Sequence, residues 1–217
     1  MLIALTIDNC LTEAAIFSEA ESNHGEPALF GVTDGKAVGT YLEHKFIAHL
    51  MEKYSFAGGN SAAGIDIPSI NVDIKVTSVK QPQSSCPFRS ARQKIYGLGY
   101  NLIVFVYEKT DDAAARTGRL NMRHTIFVEQ SRTADYQTTR GLREILERNG
   151  NAADLVAFIQ DKNLPVDEIG AQALAEEILR TPPEEGYLTI SNALQWRLQY
   201  QRVIDNANNV SGVRRVR

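Results

Sequence analysis

The eight residues Tyr100-Asn101-Leu102-Ile103-Val104-Phe105-Val106-Tyr107 are apolar almost without a break. No alternation with polar residues leaves one face wet, so a strand built from this run needs cover on both sides. Its β-branched and aromatic residues favour a strand, and the run is short for a buried helix. Such a strand belongs at the centre of a sheet with other elements packed against it. The spacing elsewhere agrees. Ala4 to Ser22 reads as a helix, Lys36 or Val38 to Tyr54 as a second, and Pro87 to Gly97 as a third. Arg119 to Gln130 reads as a strand with Leu120, Met122, Ile126 and Val128 on one side. Thr138–Asn149, Ala152–Lys162, Val166–Arg180 and a last helix from Ser191 make the C-terminal third helical. The expected fold is α/β, a mixed central sheet flanked by helices. Residues 1–135 would form the core, and 136–217 a helical region packed on it.

Ile70 to Thr77 carries the chemistry. As a strand it points Ile70, Val72, Ile74 and Val76 one way and Asn71, Asp73, Lys75 and Thr77 the other. Asp73 and Lys75 are then neighbours on one face, roughly 7 Å apart. Asp66 precedes Asp73 across a bend containing Pro68, which can fold its carboxylate back beside Asp73. Two carboxylates suit a hard cation such as Mg2+, which binds through one or two acids plus substrate phosphate. A lysine beside them can orient an attacking water and offset charge on a phosphorane. A wet strand face gives D-x-K by chance as well, so the neighbours decide.

Glu43 is one such neighbour. On a wheel drawn from Leu42, Phe46 and Leu50 follow at about 40° and 80°, and Glu43 falls at about 100°, inside the apolar stripe. A carboxylate there needs a compensating metal, water or basic partner such as Lys36.

Asp66-x6-Asp73-Ile74-Lys75 resembles the active-site motif of the PD-(D/E)xK nuclease superfamily, most closely its MutH/Sau3AI-type branch. Ile65 stands where the family name has Pro, and Asp73 where that branch has Glu, one methylene longer. The resemblance implies a restriction-endonuclease-like fold and a Mg2+-dependent, sequence-specific double-stranded DNA endonuclease of the type II restriction kind, leaving 5′-phosphate ends. It implies Asp66, Asp73 and the Ile74 carbonyl as metal ligands, Lys75 as the catalytic amine, and Glu43 at a second cation or its water. A homodimer follows if the target is a palindrome. A cognate DNA methyltransferase is expected in the same locus. A structure-specific or nicking repair nuclease of the same fold stays open, as does a DNA-binding protein without activity.

Net charge is −3, yet Ile74 to Val128 holds nine Lys/Arg against three acids, so that segment is +6 and the remainder −9. A basic face on an acidic chain fits phosphate binding. Lys80, Gln81, Gln83, Ser84 and Ser85 follow the catalytic strand, in a stretch whose Pro82 and Pro87 argue against regular structure. With Arg89, Arg92 and Lys94 they are the candidate DNA contacts. Cys10 and Cys86 lack metal-ligand spacing and read as free thiols. With no run of 18 apolar residues and no basic leader, a cytoplasmic protein without a membrane span is expected.

Overall fold

The apolar run forms the middle of a 12-residue strand, Asn101–Asp112. In this computed structural model, residues 2–57, 59, 64–85, 90–191 and 197–217 are described. In chain order come β1 (Ile3–Ala4), α1 (Ile7–Ser22), α2 (Gly35–Met51), β2 (Tyr54–Ser55), β3 (Val72–Ser78), β4 (Gln83–Ser85) and α3 (Ala91–Tyr96). Then follow β5 (Asn101–Asp112), β6 (Thr117–Val128), α4 (Tyr136–Glu147), α5 (Ala152–Asp161) and α6 (Glu168–Arg180). The chain ends through β7 (Thr189–Ser191), β8 (Arg197–Gln199), α7 (Gln201–Asn206) and β9 (Val213–Arg215).

The central sheet has the order β3-β5-β6-β9. β5 pairs parallel with β3 and antiparallel with β6, and β9 is antiparallel to β6, so the sheet is mixed. Leu102 to Val106 are each 0% exposed, as a doubly covered strand requires. On one face Ile74, Ile103 and Phe105 meet Leu42, Phe46 and Leu50 of α2 and Phe17 of α1. The Phe17, Phe46 and Phe105 rings meet tilted or edge-on, with centroids 5.1–5.9 Å apart. On the other face Leu102, Val104, Val106, Ile126 and Val128 meet Ile190, Leu198, Tyr200 and Val203. α3 joins α4, α5 and α6 in a third cluster around Leu142, Leu155, Ile159 and Ile178. This is the restriction-endonuclease-like mixed α/β architecture. Among the described residues, no helix is long and apolar enough to cross a membrane.

Local chemistry sets the helix starts. Thr6 caps α1 through Asn9 N–H, Asp34 caps α2 through Lys36 N–H, and Asn151 and Asp154 form a capping box on α5.

Several elements differ from the sequence reading. β6 does not keep one apolar side. Val106 faces His124 and Tyr107 faces Met122, so Arg123 is the extra residue of a bulge. The bulge flips the alternation: Leu120 and Met122 join the α1/α2 core, Ile126 and Val128 the opposite one. The stretch after β3 is not irregular throughout, because Gln83–Ser85 pairs with Arg197–Gln199 as β4. Ser191 ends β7, and among the described residues after it only Gln201–Asn206 is helical; the helix expected from Ser191 falls partly on residues 192–196, outside the described residues. α3 starts at Ala91 behind a Ser90 cap, with Pro87 outside the described residues.

Candidate active site

Among the described residues β3 is the end strand of the central sheet, with no further strand of that sheet on its outer edge. The bend ahead of it is tight. Ile67 N–H donates to Val72 O at 2.9 Å and Val72 N–H donates to Ile67 O at 3.2 Å. Pro68–Ile70 makes a 3-10 turn, and Asn71 reverses the chain with a φ of 53°. Asparagine tolerates that left-handed conformation better than other side-chain-bearing residues. Its amide is held by Gly99 O and Gln130 Oε1, both at 3.1 Å.

The bend brings Asp66 back onto β3, where its Oδ2 accepts a 2.7 Å hydrogen bond from Ile74 N–H. The N–H and C=O of one strand residue point to the same edge. The Ile74 carbonyl therefore faces the Asp66 side, away from β5. Asp73 is 3% exposed. Lys75 Nζ sits 2.5 Å from its Oδ2 as an ion pair. That oxygen has no partner in hydrogen-bond geometry.

Glu43 enters from α2. The buried face of α2 is Val38, Leu42, Phe46 and Leu50, so Glu43 is at the rim of the apolar stripe and half-buried. Its compensating neighbour is another acid: Asp66 lies within hydrogen-bonding reach of both Glu43 and Asp73. Burial raises the Glu43 pKa, and the Asp66 charge raises it further, against Lys75 and His44. Burial pushes Asp73 from 3.8 up to about 7; Lys75 opposes the rise and Asp66 adds to it. Two acids that resist ionisation beside a third form a site that gains by taking up a cation.

The donor set fits Mg2+ in kind: hard carboxylate oxygens, one of them buried and met by Lys75 as an ion pair, and a strand carbonyl beside them. Among the described residues no three His, Cys, Asp or Glu side chains close on a common point. Mg2+ does not need such a cage, because it is commonly held by one or two carboxylates with waters and substrate phosphate completing its shell.

Glu43 and Lys75 open onto a cleft of about 760 Å3, whose wall also includes Lys36, Gln81, Gln83, Ser85 and Arg197. A second cleft, of about 570 Å3, lies by Tyr96, Glu129 and Arg214 and has none of Glu43, Asp66 and Asp73 in its wall.

The candidate DNA contacts separate in space. Gln81, Gln83, Ser84 and Ser85 line the cleft. Ser84 also has its hydroxyl 2.5 Å from that of Tyr200. Lys80 is exposed on the turn after β3. Arg92 forks onto Glu177 of α6, Nη2 to Oε1 at 2.7 Å. Lys94 is 6% exposed beside Asp135 and away from the cleft, and burial lowers its pKa. Arg89 and Cys86 lie outside the described residues. The sequence reading missed Arg197 because it placed that residue on a helix; the polar-apolar-polar pattern of Arg197-Leu198-Gln199 was the available signal for a strand.

A mixed sheet whose edge strand carries an acid and a lysine, with a second acid folded back onto it beside a polar cleft, defines a restriction-endonuclease-like α/β protein. The model of the type II restriction enzyme NspV family matches residues 4–215. The type II restriction enzyme NspV of Nostoc sp. (strain ATCC 29411 / PCC 7524) is 64% identical over 209 residues, covering 96% of this chain and 95% of that protein. The chain belongs to the NspV family of type II restriction enzymes. It is thus a site-specific deoxyribonuclease. No solved structure matches it.

Proposed function

We propose that the chain cuts double-stranded DNA at a specific sequence by Mg2+-assisted phosphodiester hydrolysis, in the manner of the PD-(D/E)xK nucleases, leaving 5′-phosphate ends. The observation that carries this reading is the meeting of Glu43, Asp66, Asp73 and Lys75 at the outer edge of β3 beside a polar cleft. Asp66, Asp73 and the Ile74 carbonyl would hold the cation. When bound, it supplies Lewis acidity to the phosphoryl group and makes a nearby water more acidic.

The chain's own residues do the rest. Asp66 is fixed by the Ile74 N–H, so its carboxylate keeps its direction when DNA enters. Lys75, held against Asp73 in the free protein, turns its ammonium to the scissile phosphate, where it orients the attacking water and stabilises developing negative charge. Glu43, whose pKa is raised by burial and by Asp66, holds or accepts a proton at the cleft wall. Lys80, Gln81, Gln83 and Ser85 contact DNA beyond the reacting phosphate, and Arg89, Arg92 and Lys94 belong to the same basic segment.

Residues 1–135 serve as the nuclease core, to which β9 adds a strand from the far end of the chain. Residues 136–217 serve recognition or dimerisation, and a homodimer would match a palindromic target. The setting is cytoplasmic, with a cognate methyltransferase protecting host DNA. Family membership favours restriction over a repair role. A digest of phage DNA with Mg2+ or with EDTA, followed by end mapping, tests the reading. Discrete Mg2+-dependent fragments bearing 5′-phosphates are expected. A smear, random nicks or metal-independent cutting would overturn it.

A further inference from the structure

A second, smaller sheet stands beside the cleft, in the order β4-β8-β7. Its register pairs Gln83 with Gln199 and Thr189, and Ser85 with Arg197 and Ser191. The middle row pairs Ser84 with Leu198 and Ile190. Because side chains alternate across a strand, these rows split between two faces. Leu198 and Ile190 are 0% and 2% exposed and seal the core beneath the central sheet, with Ser84 bonded to Tyr200 on that side. The other face consists of Gln83, Ser85, Arg197, Gln199, Thr189 and Ser191. All six are half-buried or exposed, and none is apolar.

A sheet that only covered a core would put no premium on amides, hydroxyls and a guanidinium on its outer face over strands, where Lys and Glu serve solubility as well. This face contains neither. It carries the donor and acceptor types that pair with base edges, Arg with guanine and Gln with adenine. It is also aimed. Gln83, Ser85 and Arg197 line the same cleft as Lys75 and Glu43. It is rigidly tied to the catalytic strand as well: Gln83 N–H donates to Thr77 Oγ1 at 2.9 Å, and Tyr200 N–H to Pro82 O at 2.8 Å. Thr77 is two residues from Lys75.

We propose that the polar face of this sheet, led by Arg197, Gln199 and Gln83, is the base-reading surface, and that it enters the major groove of duplex DNA while Lys75 meets the backbone. The dimensions agree. Three strands span about 10 Å and three residues about 10 Å along each strand, against a major groove about 12 Å wide. That covers about three base pairs at about 3.4 Å per step. The inference rests on the nuclease reading above and adds the specificity-determining residues to it.

The test uses the full-length protein. The preferred site is mapped first with the unaltered enzyme. Cleavage rates are then measured on that site and on duplexes with each base pair substituted, for Arg197→Ala, Arg197→Lys, Gln199→Ala and Gln83→Ala. Binding to a duplex lacking the site and melting temperature are followed in parallel. Arg197→Lys keeps the charge and most of the stem but loses the two-pronged donor, so it serves if the alanine variant does not fold.

Each folded variant is expected to lose about 10- to 100-fold of its preference for one base pair, the discrimination of one bidentate contact, while binding to the unrelated duplex holds. Unchanged preference at every position, or an equal loss of affinity for all duplexes, overturns the inference and leaves the nuclease reading standing. An unaltered enzyme that cuts no DNA overturns the nuclease reading instead.

Discussion

Replacing Asp73 with Asn tests the electrostatics of the site most finely, because the same change should stabilise the protein and abolish its chemistry. The folded pKa of Asp73 is about 7 against 3.8 for the ordinary carboxyl. With a raised pKa, the folded state holds the proton more tightly than the unfolded state. Below about pH 4 both states are protonated and the group contributes nothing. As pH rises through about 7 the folded state must also ionise, and the cost becomes complete. The gap of about three pH units corresponds to roughly 4 kcal/mol. Asparagine cannot ionise, so it removes this cost but leaves Lys75 without its partner, which takes part of the gain back. A net gain of about 1–3 kcal/mol at pH 8.5 should raise Tm by about 2–10 °C for a chain of this size. At pH 4.5 the two proteins should melt much closer together. The assay is thermal unfolding in EDTA at several pH values, alongside cleavage of DNA with Mg2+. An Asp73→Asn protein that melts with the unaltered protein's pH dependence, or below it at pH 8.5, would refute the reasoning.

Three other outcomes follow from the same geometry. Mg2+ should raise Tm more at pH 8.5 than at pH 6, since the acids must lose protons to accept it, and Asp66→Asn should abolish that shift; a pH-independent shift would count against a carboxylate site. Glu43→Gln should lower kcat by about 10- to 100-fold with little change in KM if Glu43 handles a proton at the cleft wall, and unaltered steady-state rates would remove it from the site. Phe46→Ala, at a fully buried ring between Phe17 and Phe105, should cost about 3–5 kcal/mol in urea unfolding; a loss below about 1 kcal/mol would mean that this face of the sheet is not the rigid core described here.

Local patterns were legible where local physics dominates. The unbroken apolar run marked β5 as a doubly covered strand, and the spacing of Leu42, Phe46 and Leu50 marked α2. The bend that returns Asp66 to the strand was legible from Pro68, whereas Asn71, read as a strand residue, proved to be its left-handed turning point, so β3 starts at Val72 and not at Ile70. Glu43 stood out as an acid against an apolar stripe, although it proved to face a second acid, Asp66, with Lys75 and His44 as the nearby bases in place of the Lys36 considered from the sequence. Illegible were the features set by distant partners. β4, β7, β8 and β9 are three residues each; β4 and β9 exist through pairing with chain far away in sequence, and the neighbouring β7 and β8 join a sheet only where β8 meets β4. Ser191 looked like a helix cap, yet Thr189–Ser191 and Arg197–Gln199 pair as strands, with Ile190 and Leu198 covered under the central sheet. The β6 bulge at Arg123 leaves no mark in the alternation until the opposite strand is in place.

The most direct measurement is single-turnover cleavage by the Asp66→Asn, Asp73→Asn and Lys75→Ala proteins, each first shown to fold and to bind the preferred duplex with Ca2+ in place of Mg2+. Loss of cutting by about a thousandfold or more, with binding retained, is the predicted result. Cleavage at the unaltered rate by any one of the three would contradict the assignment of these acids and this amine as the hydrolytic centre.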